Sequence, residues 1–413
     1  MINSETSSKL EKGTAEIGNF ERLKELAPRS IQQNETLLHE LARYNIPISL
    51  ETEKCTTVAD FIELIYNPFQ YNEEFRENIK NENIVGYVKN LPDNINKPST
   101  IGSNEIARYN QRYSFEGGLI RFRKAEKSAR ENMVKRAAEL DSQKEKGITL
   151  ISVASQHPLE VDESGKRCIP GKEFRERLDI AIEELKKKGG KIVLFGGIHR
   201  NDYPTGDKQL DDVSLAEAGR NYLLSKSVDT SFILCNESTT DVYSSGDEQF
   251  QVAQVFKQNP EFNKIIAIGS PAQTLRMMVH SLFCGVIPEV RSTQEEGNSH
   301  GLDNELFITQ DVMRQPDPTF QNPELCSFAW INRIQRMPFP DLAEYIESNS
   351  NLIAKITSQD PTSFHIAIKG ALEKAGYFSD GIEQRISDEW SGDEKEKDKF
   401  IHLIFNILNN ISI

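Results

Sequence analysis

The feature that most constrains this chain is an alternation of short β-rich runs with helical segments between Ile148 and Val290. The predicted strands are Ile148–Val153, Lys191–Phe195, Ser231–Cys235, Lys264–Ile268 and Val286–Val290. The predicted helices between them are Phe174–Lys188, Ser214–Ser225, Asp247–Lys257 and Gln273–Phe283. Strands that alternate with helices of this length form βαβ crossovers. The pattern therefore predicts an α/β, Rossmann-like, mostly parallel sheet with helices on both faces.

The segments on either side of this alternation have a different pattern, and 413 residues are enough for more than one core. The N-terminus is polar without periodicity, which predicts disorder. Apolar stripes at helical spacing follow, including a long charged helix at about Gly118–Lys144. After the alternation, a strand is predicted at Glu305–Thr309, and helices follow it. The predicted parts are a disordered N-terminus (1–16), a helical region (17–145), the α/β domain (146–292) and a C-terminal helical region (293–413).

Composition limits the classes of function. The formal charge of −14 argues against broad contact with nucleic acid or with anionic membranes, because both would be repelled. No apolar run approaches the roughly 20 residues that span a bilayer, and Met1 to Gly13 lacks the apolar core of a secretory signal. Five scattered cysteines without C-x-x-C spacing predict reduced thiols and a cytoplasmic location. Export by a signal that the sequence does not reveal stays an alternative.

Polar and small residues follow the predicted strands. In an open α/β sheet, ligands bind in the crevice outside the carboxyl ends of the strands. His157 follows the first strand, Gly196-Gly197 the second, the loop Glu237–Asp241 the third and Ser270 the fourth. The sequence therefore predicts a ligand site at this edge of the sheet.

Two of these features predict an anion site. Gly196-Gly197 would let backbone amides approach a ligand, although a plain turn explains a glycine pair equally well. Ser270 is predicted to cap the helix that carries Arg276, and a capped helix N-terminus with a nearby arginine favours a negative group. A simple N-cap is the alternative.

The acidic loop predicts hydrogen-bonding or proton-transfer chemistry. Glu237 and Asp241 enclose three hydroxyl side chains, and such a loop can bind a ribose, act as acid or base, or hold a metal. The alternative is a turn that caps the next helix. His157 is the best-placed histidine for acid–base work, although single loop histidines are commonly structural. No group of residues has the spacing of a defined metal site, so none is predicted.

The order of motifs also resembles a known family. The motifs are RLDIAIEEL from Arg177, IVLFGG ending at Gly197, LAEAGRNYL around Glu217, ESTTDVY from Glu237 and IAIGSPAQTLR ending at Arg276. Over residues 146–292 this order is similar to the ElyC/SanA/YdcF family, the domain of unknown function 218. The resemblance places Arg177, Gly196, Gly197, Glu217, Glu237, Asp241, Ser270 and Arg276 on family positions. One departure is Gln273, which stands where the family has a histidine three residues before the arginine.

The resemblance implies a Rossmann-like domain, and it associates the family with cell-envelope processes and with S-adenosylmethionine. We expect the chain to bind a nucleotide-like or other anionic metabolite, with S-adenosylmethionine or a nucleotide as candidate cofactor. Gly196, Gly197, Ser270, Arg276, Arg177 and His157 are predicted to bind the ligand. Glu237, Asp241 and Glu217 are predicted to be catalytic in a group transferase or hydrolase. The alternatives are a non-catalytic binding module, which Gln273 favours, and an interaction protein that binds partners through its helical flanks.

Overall fold

A computed structural model describes most of the α/β region and part of the helical flanks. The described residues are 17–43, 52–71, 115–143, 147–156, 159–162, 168–197, 213–235 and 245–294, together with 305–306, 309, 312–313, 394–395 and 397–398. The predicted disorder of residues 1–16 and most of the predicted C-terminal helices lie outside them.

The predicted strands form one parallel sheet among these residues. The strands are β1 (Ile148–Val153), β4 (Lys191–Leu194), β5 (Ile233–Cys235), β6 (Phe262–Gly269) and β7 (Glu289–Ser292). Their order across the sheet is β5-β4-β1-β6-β7, and every neighbouring pair is parallel. A short antiparallel hairpin of β2 (Leu159–Val161) and β3 (Cys168–Pro170) lies between β1 and the next helix. The predicted α/β, Rossmann-like fold is confirmed.

Nine α-helices accompany the sheet in the described residues between 17 and 283. Those before the sheet are α1 (17–26), α2 (Arg29–Gln32), α3 (Glu35–Arg43), α4 (Val58–Tyr71) and α5 (Phe115–Gln143). Those within it are α6 (Lys172–Lys188), α7 (Leu215–Ser225), α8 (Ser245–Gln258) and α9 (Gln273–Phe283). No described helix is both long and apolar enough to cross a membrane. The described cysteines form no disulfide bond with one another: Cys55, Cys168, Cys235 and Cys284.

Alternating side chains of each strand enter two cores, as the two-residue period of a strand requires. Leu150 of β1 packs in a cluster with Met278 of α9. Its neighbour Ile151 packs on the other face with Leu178 of α6 and Leu223 of α7. Helices therefore cover both faces, as predicted.

A third layer lies outside α9. All 11 residues of this helix are buried, including its polar ones. Phe61 of α4 and Phe122 of α5 belong to the same core cluster as the inner face of the sheet. The rings of Phe122 and Phe283 meet edge to face, with centroids 5.2 Å apart. The helical region before residue 145 thus shares a core with the sheet, and the predicted boundary there marks a change of secondary structure.

Local capping explains where strand limits differ from the prediction. Gly285 has φ +79°, and the amide of Val286 donates to the carbonyl of Ser281 at 3.0 Å. These features form a Schellman motif that ends α9, so Val286 belongs to the cap and β7 begins at Glu289. Similarly, Asp229 accepts the amide of Ser231 and initiates a 3₁₀ turn before β5.

The strand predicted at Glu305–Thr309 is wrong. Glu305, Leu306 and Thr309 are helical, and the Thr309 hydroxyl donates to the carbonyl of Glu305 at 2.7 Å. A bond of this kind, from residue i to residue i−4, is typical of Thr within a helix. The apolar residues here match a helical spacing as well as the alternation of a strand.

Candidate functional site

The strand order defines a crevice at the carboxyl ends of β1 and β6. From β1 the chain continues to β4 and β5 on one side of the sheet, whereas β6 and β7 lie on the other side. Ligands of such folds bind at this topological switch point, because the two adjoining loops diverge there. The residues after β1 include the half-buried Ser155 and Gln156, and Ser270 follows β6.

Glu248, in the first turn of α8, reaches the β1 side of this crevice. The backbone amide of Ser155 donates to Glu248 Oε1 at 3.1 Å, and the Ser155 hydroxyl donates to the same oxygen. Glu248 is only 5% exposed. Burial raises its pKa to about 7, against the hydrogen bonds from Ser155 and the charges of Arg177 and Arg276, which lower it. A carboxyl group with this pKa can donate or accept a proton at neutral pH.

Glu248 was not among the predicted site residues. Asp247–Lys257 was predicted only as a helix, and two acidic residues in a first turn are explained by the helix dipole alone. The available signal was position, because the first turn of a crossover helix such as α8 lies at the carboxyl ends of the parallel strands.

Arg177 fixes the loop after β1. Its guanidinium, 1% exposed, donates to the carbonyl oxygens of Ala154 at 3.0 Å and Ser155 at 3.4 Å, and to Gln156 Oε1 at 3.3 Å. Burial lowers the pKa of Arg177 to about 10, so the group is still a cation at neutral pH. Arg177 therefore holds Ser155 in position from behind.

Gly196 allows the loop after β4 to approach that after β1. It has φ +148°, and a Cβ atom here would lie 2.8 Å from Leu215 Cβ and 2.9 Å from Ser155 Oγ. The carbonyls of Gly196 and Gly197 accept the amides of Ala216 and Leu215, both at 3.2 Å. These bonds attach the start of α7 to the end of β4, which accounts for the glycine pair as a turn.

Glu217 is placed at the same edge by the start of α7. The Ser214 side chain caps this helix and accepts the backbone amide of Glu217 at 3.0 Å. The half-buried Glu217 thus lies in the first turn of a capped helix, where the helix dipole favours an acidic side chain. This local role explains the residue type without a ligand.

The predicted cap by Ser270 is wrong. The N-cap of α9 is Ala272, which has helical torsion angles and makes no side-chain cap bond. The carbonyl of Ser270 instead accepts the amide of Thr274 at 3.1 Å. Pro271 and Ala272 form a turn that continues into the helix. The N-cap position is therefore two residues after Ser270.

Arg276 forms a buried ion pair. Its Nε lies 3.1 Å from Glu305 Oε2, and the two side chains are 10% and 4% exposed. Arg276 was predicted to bind a negative group of the ligand, whereas in the structure Glu305 compensates its charge. Glu305 was not among the predicted site residues.

Gln273, which opens α9, lies on the β6 side of the crevice. It is 5% exposed, and its Nε2 donates to Ser245 Oγ at 3.3 Å. Its carbonyl Oε1 is buried and accepts no hydrogen bond from the described residues. A Cβ atom on Gly269, the last residue of β6, would lie 3.4 Å from this oxygen.

Asn34, from the helical region before the sheet, lies at the carboxyl end of β7. Its Nδ2 donates to Thr274 Oγ1 at 2.8 Å, and the Ser292 hydroxyl donates to its Oδ1 at 3.0 Å. Asn34 is 3% exposed. One residue before α3 thus joins the first turn of α9 to the end of β7.

The structure brings Gly196, Gly197, Glu217 and Ser270 to one edge of the sheet. His157, Glu237 and Asp241 lie outside the described residues, so their roles stay predictions. Within the described ranges, no group of three or more His, Cys, Asp or Glu side chains is placed to hold a metal ion. Comparisons with protein-family models, with curated proteins and with solved structures find no match to this chain.

Proposed function

We propose that the chain binds a small polar metabolite, nucleotide-like or otherwise anionic, in the crevice between the ends of β1 and β6. The observation that carries this proposal is that the half-buried Ser155 is bonded to the buried Glu248 at the switch point. Buried carboxyl groups with shifted pKa values cluster at functional sites. Because Arg177 and Arg276 already have partners, the negative group of the ligand would be bound mainly by backbone amides.

Glu248 favours a group transferase or hydrolase that uses a proton transfer. Its pKa of about 7 matches the optimum for acid–base catalysis at neutral pH. Gln273 supports the alternative, a binding module without catalysis, because an amide cannot transfer protons as a histidine does.

A thermal-shift screen with ATP, AMP, S-adenosylmethionine and ribose 5-phosphate tests the binding. At least one of these should raise the Tm of the wild type, and Ser155→Ala and Glu248→Gln should reduce that shift. Glu183→Gln, at an exposed position on α6, is the control and should keep it. An absence of any shift, or shifts that are equal in all variants, would contradict the proposal.

Turnover distinguishes the two alternatives. With an enzyme, Glu248→Gln should lower the rate by about 10²–10⁴-fold, which is far more than it lowers the affinity for the ligand. A ligand that binds without chemical change in prolonged incubation supports the binding module.

A further inference from the structure

We infer that the part of the ligand held beside α8 is a neutral hydroxyl-bearing group, of the kind found in ribose, which donates hydrogen bonds to Gln273 and Glu248. This inference rests on the proposed function and names the chemistry that its site recognises.

The first observation is the unsatisfied carbonyl of Gln273. Nε2 donates to Ser245, and within the described part of the chain no group donates to the buried Oε1. An unsatisfied buried acceptor costs about 1–3 kcal/mol, and native proteins keep few of them. A hydroxyl donor from a ligand would satisfy this atom.

The second observation is the position of Glu248 on the same turn. Ser245 and Glu248 are three residues apart in α8 and lie on one face of the helix. Ser245, which accepts from Gln273, is therefore next to Glu248, which accepts from Ser155. The two acceptors are Gln273 Oε1, beside this turn of α8, and the Glu248 carboxyl group on it. Together they match the two hydroxyl donors of a vicinal diol.

The third observation is charge. The guanidinium of Arg276 is paired with Glu305, and that of Arg177 is directed at carbonyl oxygens. A phosphate beside Gln273 would face a carbonyl oxygen and the Glu248 carboxyl group rather than an available cation. A hydroxyl group meets neither penalty, because it donates to both acceptors.

Isothermal titration calorimetry with adenosine, 2′,3′-dideoxyadenosine and inorganic phosphate tests the inference. Adenosine should bind the wild type about tenfold or more tightly than the dideoxy compound, since a lost hydrogen bond that leaves a buried acceptor unpaired costs about 1–3 kcal/mol. Phosphate should bind more weakly than adenosine. Equal affinity for the two nucleosides, or a preference for phosphate, would overturn the inference.

Two substitutions identify the acceptor. Gln273→Met keeps the length of the side chain but removes the carbonyl, so adenosine should lose about tenfold in affinity and its advantage over the dideoxy compound. Gln273→Glu keeps an acceptor and should preserve that advantage, whereas a bound anion would be expelled by this substitution. Gln254→Met, at a partly buried position further along α8, is the matched control and should change nothing.

The outcomes separate the inference from the proposed function. If S-adenosylmethionine or ribose 5-phosphate binds but adenosine does not, the inference fails and the proposed function stands. If no probe binds, both fail. Circular dichroism of each variant establishes folding, and if Gln273→Glu does not fold, the comparison of Gln273→Met with the wild type decides.

Discussion

Glu248 and His280 are buried titratable residues that both interact with the charge of Arg276. Burial raises the pKa of Glu248 to about 7 and lowers the pKa of His280 to about 3, where Arg276 adds to the effect. For Glu248 the folded pKa exceeds the unfolded value, so its stabilisation is complete below about pH 4.5 and is lost as the pH rises through about 7. For His280 the sign is opposite: stabilisation is complete above about pH 6.5 and is lost toward pH 3.

Glu248→Gln should remove the part of this pH dependence that arises from Glu248. Relative to the variant, the wild type should lose free energy of unfolding between about pH 4.5 and pH 7, by on the order of 3 kcal/mol in total. His280 is present in both proteins and cancels in the difference. Urea denaturation at several pH values measures this difference, and a difference that does not vary with pH would show that Glu248 titrates normally.

The pair of Arg276 and Glu305 should behave as a buried ion pair. Arg276→Met leaves the Glu305 carboxylate buried without its cation, which costs about 3–5 kcal/mol of stability. The double variant with Glu305→Gln should recover part of this loss, because no buried charge is left unpaired. Urea denaturation of both single variants and the double variant measures the coupling. Additive losses would mean that the two side chains act independently.

At the scale of elements, sequence patterns located the strands and helices because each carries its own periodicity. Gln273–Phe283 and Ile148–Val153 match the predicted limits. The limits that differ depend on single caps, such as Gly285 after α9. The site was harder to predict from the sequence than the elements. Gly196 and Ser270 could be predicted because they follow the carboxyl ends of strands, where ligands of such sheets bind. Glu248 could not, because it contacts Ser155 across 93 residues of sequence.

Glu126 is a further contact between elements that periodicity does not reveal. This α5 residue is 2% exposed, and its two oxygens accept the amides of Val58 and Ala59 at the start of α4, each at 3.0 Å. It therefore satisfies the amides of a different helix, where a local N-cap would ordinarily act.

Glu126→Ala should destabilise the protein by about 2–3 kcal/mol, because it leaves two buried amides without acceptors. Glu131→Ala on the same helix removes an exposed carboxylate 4.0 Å from Lys127 and should change stability by less than about 0.5 kcal/mol. Chemical denaturation of both variants gives the comparison. Similar losses in the two would refute the capping role of Glu126.

At the scale of the whole molecule, the helical region and the sheet are one packing unit. The sequence predicted helices on both faces of the sheet but no third layer. The reason is that α9 has Gln273, Arg276 and His280 among its residues, which suggests a solvent-facing side. Arg276 is buried against Glu305, and α5 and α8 pack on α9. Such long-range partners leave no local pattern in the sequence.

A chain shortened to begin at Gly147 should not fold cooperatively. Removal of α1 to α5 exposes the outer side of α9 and leaves apolar residues such as Phe283 in water. We expect increased binding of a hydrophobic dye and a broad thermal transition in place of a sharp one. A sharp transition with low dye binding would show that the sheet folds without the helical region before it.

The contacts of Asn34 and Tyr66 also set an order of events during synthesis. Asn34 bonds to Thr274 and Tyr66 to Leu306, and each pair is separated by 240 residues. At about 5–20 residues per second, a ribosome needs roughly 12–50 s to supply the second member of each pair. For that time the apolar sides of the first helices are on the nascent chain without their native partner. Early binding by a chaperone at the ribosome would therefore benefit this protein more than one whose first helices pack on their neighbours in sequence.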